Sequence, residues 1–405
     1  MIGIRRSWIA WRRSLVVAGV GLLALAPSPA WAVDLNALWP DLGLPGFKIT
    51  PFLTERVEYE SNVFQAHSGA QDDGISKTIP GFLLELPVGR HKFDLGFRTE
   101  ILRYFNLTRE DTEHYFVLGN VLLDFPGGLR VNVKEDFART TDPPGTELTG
   151  RIGSETNTVK PSVEYRLADR FSAGFEYDYT RVRFDNGTGV ESLDRHEHTF
   201  GLTGFYKVQP RTDLLLNFAY GFKDFDNSSD RDVNRFIALT GVRGQITSKL
   251  TSTLRIGYEI RDPEHGDIGR YHGVVVGGDI VFQPSDRTRV TLVTLRQVDE
   301  SVFVDNNIYI GTQATLSIEH YLTRKLLLSA RVFGANSDYF EKSQKVNGAF
   351  DWRTDWVAAG TFSVEYNIQR WLTLGADYTH TRRNSNFDNF DYKDDVVAGR
   401  VTLSF

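Results

Sequence analysis

Two short stretches of this 405-residue chain hold residue types that do chemistry in other proteins. His196-Glu197-His198 carries two imidazoles at i and i+2. At that spacing a strand points both to one side, and such a pair can hold a divalent metal. His380, Ser385 and Asp388 supply the three residue types of a nucleophilic triad. No third ligand is suggested beside the first group. The second gathers at one loop edge, where Asn, Ser and Asp are ordinary turn formers. The acidic stretches Asp226 to Asp232 and Asp388 to Asp395 offer oxygens for calcium, or for a divalent ion bridging to lipopolysaccharide, but the preferred reading is a solvated surface loop. The expectation is a protein that is not an enzyme, with no catalytic residue, metal or cofactor.

A larger set of charges is spread along the chain, each at an alternate position among apolar neighbours. It comprises Arg98, Glu100, Arg130, Lys134, Lys160, Glu164, Arg166, Glu176, Asp178, Lys223, Arg255, Glu259, Asp279, Arg331, Glu365, Asp377 and Arg400, with Arg243, Arg289 and Glu319 in the same pattern. Facing lipid, each Arg or Lys would cost about 2–4 kcal/mol at the midplane, so this face must line a hydrated interior. There the cations could steer anionic or hydroxyl-rich solutes. Alternatively, charges of opposite sign pair across neighbouring strands and stiffen the wall.

The elements that position these charges follow from the alternation. Leu372, Leu374, Ala376 and Tyr378 form one face against Thr373, Gly375, Asp377 and Thr379. Phe171, Ala173, Phe175, Tyr177 and Tyr179 do so against Ser172, Gly174, Glu176, Asp178 and Thr180. Period two means strands. At about 10 to 14 residues they are longer than the five or six usual in soluble sandwiches, and they suit tilted membrane strands. Tight turns such as Pro87-Val88-Gly89 and Pro126-Gly127-Gly128 alternate with longer polar loops such as Thr141 to Gly150, Asp299 to Asn307 and Asp338 to Gly348. The count implies an all-β fold, a transmembrane antiparallel up-and-down β-barrel of about 18 strands, with short periplasmic turns and longer extracellular loops.

Composition agrees. Cys is absent, which excludes disulfides, thiolate metal sites and a cysteine lipid anchor. The net charge of −6 is too mild and of the wrong sign for a nucleic-acid partner. Arg5, Arg6, Arg12 and Arg13 precede the apolar run Leu15 to Ala26, and Ala30-Trp31-Ala32 supplies the small residues a signal peptidase reads. Residues 1–32 are thus expected to be a cleaved signal peptide, 33–46 a short periplasmic lead and 47–405 the barrel in the bacterial outer membrane. The lead is too small for a plug domain, and no loop looks long enough to fold inward as a constriction. Narrowing would come from lumen side chains, several moderate loops or a partner.

The last strand ends on Phe405, with Val397, Gly399, Val401 and Leu403 alternating outward before it. Val401, Leu403 and Phe405 look like the signature read by the barrel assembly machinery. The opening strand, with Glu58-Tyr59-Glu60-Ser61-Asn62-Val63-Phe64, and the close, Tyr378 to Phe387 followed by an Asp-rich loop and the terminal strand, resemble the putative β-barrel porin 2 family. The resemblance spans essentially Phe47 to Phe405 and contains no catalytic motif. It implies an outer-membrane barrel of a kind often linked to exopolysaccharide synthesis and secretion. A conduit for surface polysaccharide is therefore expected; the runner-up is a general or sugar-selective porin, and a barrel enzyme ranks below both. The implied partners are outer-membrane lipid and lipopolysaccharide, the assembly machinery and a periplasmic polysaccharide-export protein.

Overall fold

Successive side chains of a strand point to opposite sides, so alternating residues sort themselves between two environments. In the computed structural model, which describes residues 46–142, 151–185, 190–266, 269–301, 306–345 and 347–405, they do so in eighteen strands of one sheet. The first nine are β1 (Lys48–Glu60), β2 (Asp73–Val88), β3 (His91–Tyr104), β4 (Thr112–Asp124), β5 (Leu129–Thr140), β6 (Ser154–Arg166), β7 (Phe171–Phe184), β8 (Arg195–Gln209) and β9 (Thr212–Phe225). The rest are β10 (Val233–Thr247), β11 (Leu250–Pro263), β12 (Tyr271–Ser285), β13 (Thr288–Glu300), β14 (Ile308–Tyr321), β15 (Leu326–Gln344), β16 (Phe350–Gln369), β17 (Leu372–Ser385) and β18 (Tyr392–Ser404). The signal peptide and most of the short lead expected from the sequence lie outside the described residues.

Each strand pairs antiparallel with its chain neighbours, and β1 pairs β18 from Phe52↔Ser404 to Glu60↔Val396. The sheet is thereby closed. Closure leaves no backbone edge unpaired, the condition for crossing a hydrocarbon layer with strands. Large apolar residues such as Leu216, Phe218, Ile256, Phe362 and Val401 stand exposed on one face. Contacts between strands that are not neighbours identify the other face as the interior, because only the concave side can bring them together. Arg243 on β10 reaches Glu164 on β6 at 2.7 and 2.9 Å, and Lys223 on β9 reaches Glu300 on β13 at 3.0 Å.

One feature departs from the sequence reading, and another selects among its alternatives. Asp338 to Gly348 is mostly not a loop: β15 runs on to Gln344 and β16 starts at Phe350, giving strands of 19 and 20 residues with one register shift between Asp338 and Lys342. Alternation continues there, with Tyr339 buried and Phe340 exposed, under a polar composition that resembles a loop. The loops also fold inward despite their modest length. Tyr104, Phe184 and Phe225, inward-facing at the tops of β3, β7 and β9, are buried in small apolar clusters with Val63, Leu193 and other loop residues.

Four of these loops share one construction. A single 3-10 turn ends at Asp111, Asp194, Asp232 or Asp391. The aspartate carboxylate then accepts the N–H of the residue closing the preceding strand: Tyr104 at 2.8 Å, Phe184 at 2.7 Å, Phe225 at 2.7 Å and Ser385 at 2.5 Å. This use of Asp232 and Asp391 gives the acidic stretches a structural role. Among the described residues no group of three or more His, Cys, Asp or Glu could hold a metal ion.

A charge-laddered interior as the candidate functional site

Register builds the first cluster across the seam where the chain closes. Glu365, Gly375, Arg400, Arg56 and Lys77 are successive Cα partners on β16, β17, β18, β1 and β2. Three cations therefore stand side by side, an arrangement that repels unless anions intervene. They do. Two residues further along, Asp377 and Glu58 project between them.

Asp377 accepts two hydrogen bonds from Arg56, at 2.7 and 2.9 Å, and one from Arg400 at 2.7 Å. Glu58 receives Arg56 Nε at 2.6 Å and Lys77 Nζ at 2.5 Å, and Glu365 receives Arg400 at 2.6 Å. The result is a continuous ladder over five strands, three positive groups against three negative. Gly375 permits it: a Cβ there would stand 2.7 Å from Arg400 Nε, in the path that guanidinium takes to Glu365.

A second ladder occupies the extracellular half of β8 to β13. Arg195 meets Glu197 at 2.7 Å; Lys223 bridges Glu197 at 3.3 Å and Glu300 at 3.0 Å. Arg261 binds Glu300 twice, at 2.7 and 3.0 Å, and Arg235 holds Glu259 at 2.7 Å. Glu300 ends β13, so the end of that strand is drawn toward Lys223 on β9 and Arg261 on β11. Arg231 donates to the carbonyls of Ser301, at 2.6 Å, and Asn307, at 3.0 Å, which follow β13 and precede β14. From the other side, Arg151 reaches Glu60 at 3.1 Å and the Val63 carbonyl at 3.3 Å, crossing the tops of β2 to β4. Burial by itself would disfavour the Arg151 charge, but Glu60, Tyr104 and Asp142 raise its pKa above the ordinary arginine value. Contacts from loop residues thus reach over the inner side of the strand ends at the extracellular mouth.

The charges singled out from sequence fall as follows. Arg98 donates to Glu100 at 3.1 Å and lies 4.2 Å over the Phe116 ring. Lys160 meets Asp178 at 3.0 Å, although its register partner is Lys134. Glu164 takes Arg243, which lies 3.5 Å over the Phe205 ring, and Glu176 accepts from Asn217 at 3.2 Å. Arg130 faces Asp124 at 3.6 Å near the turns, and Arg166 is exposed at that rim. Arg255 and Asp279 lie either side of Thr253 and Gly277 on β11 and β12, and Arg331 is flanked by Ser317 and Thr361. Arg56, Glu58, Lys77, Arg195, Glu197, Arg235, Arg261 and Glu300 were not among the inward charges named from the alternation. Arg56 and Glu58 alternate with exposed Val57 and Tyr59, a pattern visible in the sequence.

The enzyme-like stretches take other roles. His196 and His198 lie on the outer face, their Nδ1 atoms each 2.8 Å from Tyr179 and Tyr177 hydroxyls, while Glu197 between them points into the second ladder. His380 faces outward and contacts Asp395 at 2.8 Å; Ser385 belongs to the opposite face, and the side chain of Asp388 lies outside the described residues. At the closing end, Val401 is exposed outward and Phe405 stacks parallel to Trp371 with ring centroids 6.3 Å apart.

A closed eighteen-stranded antiparallel barrel with an apolar exterior and a charge-laddered interior is a transmembrane barrel of the porin class. The chain belongs to the putative β-barrel porin 2 family, which it matches over residues 44–405, and its place is the bacterial outer membrane. No curated protein matches it significantly. Among solved structures it is similar to OccAB3 of Acinetobacter baumannii, with 11% identity, 89% of this chain and 99% of that chain covered and a TM-score of 0.46. OccK9 (OpdG) of Pseudomonas aeruginosa gives 9% identity, coverage of 89% and 99% and a TM-score of 0.48. A bacterial polysaccharide outer-membrane secretin gives 11%, 88%, 98% and 0.33. Likenesses this distant do not bear on what the chain transports.

Proposed function

We propose that this barrel is a passive conduit for carbohydrate, and that its task is export of a surface polysaccharide. The observation that carries the reading is the balance of the inner wall. In its ladders the cations are met by carboxylates, as Arg56, Lys77 and Arg400 are by Glu58, Asp377 and Glu365. A wall of paired charges stays wet and offers many weak hydrogen bonds, but holds no strong site for a small anion. A hydroxyl-rich chain of low charge can move along such a wall without being trapped. The resemblance of the opening and closing strands to a family linked with exopolysaccharide secretion supports the same task. The reading entails a cleaved signal ending at Ala32 and a periplasmic export protein delivering the polymer to the short-turn mouth.

The experiment is planar-bilayer recording of the isolated full-length protein with neutral oligosaccharides of graded length on the periplasmic side. Export predicts weak ion selectivity and block that lengthens with chain length. Strong anion or cation selectivity, or block by monosaccharides alone, would replace the conduit with a small-solute porin.

A further inference from the structure

We propose that the outer face of β16 to β18 holds a phosphorylated glycolipid of the outer leaflet, bound through its phosphate by Arg382 and Lys393. The two residues are direct Cα partners on β17 and β18, and both are exposed. They face away from the lumen, on the same face as exposed Tyr378 and Val397. Arg382 stands ten residues up β17 from Leu372. At about 3.4 Å per residue and a tilt of about 40° that is about 26 Å above the periplasmic rim, the top of an apolar band about 25 Å tall. The pair thus lies at headgroup level in the extracellular leaflet.

Like charges directly across a strand pair repel, and elsewhere on this rim three outward arginines are neutralised. Arg103 meets Glu113 at 3.3 Å, Arg181 meets Asp226 at 3.2 Å and Arg270 meets Asp262 at 3.0 Å. Arg382 instead donates only to the neutral Asn384 oxygen, at 2.8 Å, and Lys393 has no side-chain partner among the described residues. The acid nearest along β18, Asp395, is occupied by the Tyr378 hydroxyl at 2.6 Å and by His380. Two adjacent cations without a carboxylate among the described residues form a site for a doubly charged oxyanion.

The surroundings fit the rest of a lipid. Ala358 and Gly334 continue the row from Arg382 across β16 and β15, so the surface beside the cations is a shallow floor without bulky side chains. Above it stand the exposed indoles of Trp356 and Trp352, and Lys342 Nζ lies 4.2 Å over the latter. A phosphate on the cations, a sugar against the indoles and an acyl chain along the floor would each meet its complement.

The test is native mass spectrometry of the full-length protein in detergent. The probes are lipid A with two, one or no phosphates, phosphatidylglycerol and inorganic phosphate, with folding verified by heat-modifiable gel mobility. Wild type should bind bisphosphorylated lipid A best, R382Q/K393Q about tenfold more weakly, R382K/K393R like wild type, and R103Q without change. Equal binding by R382Q/K393Q overturns the site. Phosphatidylglycerol or inorganic phosphate binding as tightly as lipid A overturns the glycolipid as its occupant.

Discussion

Replacing Asp377 by alanine tests whether the seam ladder holds the barrel closed. Its side chain is only 6% exposed and accepts from two guanidiniums, 21% and 10% exposed. Removing one partner of a buried ion pair costs about 3–5 kcal/mol when the other charge is stranded. Here neither arginine is stranded, because Arg56 keeps Glu58 and Arg400 keeps Glu365. Water in the lumen softens the loss further. The expected loss is about 2 kcal/mol, from three charge-assisted hydrogen bonds partly replaced by water.

Urea unfolding in lipid vesicles, followed by tryptophan emission, measures it. Asp377→Ala also leaves the ladder with one excess positive charge, so the zero-current potential in a salt gradient should shift toward anion preference. The double variant D377A/R400A should cost less than the sum of the single variants, since the shared contact is lost only once. A change below about 0.5 kcal/mol together with strict additivity would refute the claim that the ladder acts as a unit.

Gly375→Ala places a methyl against Arg400 and should cost about 1–3 kcal/mol by the same unfolding assay, because Arg400 must leave Glu365. Arg231→Ala removes the donors that hold Ser301 and Asn307, so single-channel conductance should rise with little change in stability. Asp232→Ala leaves the Phe225 N–H without its acceptor; about 1 kcal/mol of local stability should be lost, visible as faster proteolysis at that loop. The exported protein should begin at Val33, which intact mass of the outer-membrane form decides.

How much of this was legible follows from what each residue must obey locally. Strand faces were legible because a membrane barrel gives every side chain one of two environments, so Phe175 and Glu176 declare their sides without knowledge of partners. The ladders were not, because Arg56 and Asp377 are 321 residues apart and meet only through the register of a closed sheet. The inward loops left a fainter mark. Leu102 and Tyr104, or Val182 and Phe184, put apolar groups on the inner face at strand tops, where a wet wall should be polar. That exception signals a loop lying on them, whereas loop length carries no such information.

The placement of charge across the barrel wall ties these observations together. Inside, Arg400 and Arg56 stand together only because Asp377 lies between them, and the anions needed for balance are supplied by the chain. Outside, beside the same seam, Arg382 and Lys393 stand together with no such acid among the described residues. A chain that spaces carboxylates to neutralise one cation row across β18 and β1 had the means to neutralise the other. Lys393 faces lipid where Asp394, the next residue, faces in and accepts from Ser61 and the Asn62 N–H. A one-residue difference in position therefore separates a charge balanced by protein from one left for the membrane. In the proposed conduit the inner ladders make a wall that does not retain what passes, and in the proposed lipid site the outer pair makes a surface that retains what surrounds it.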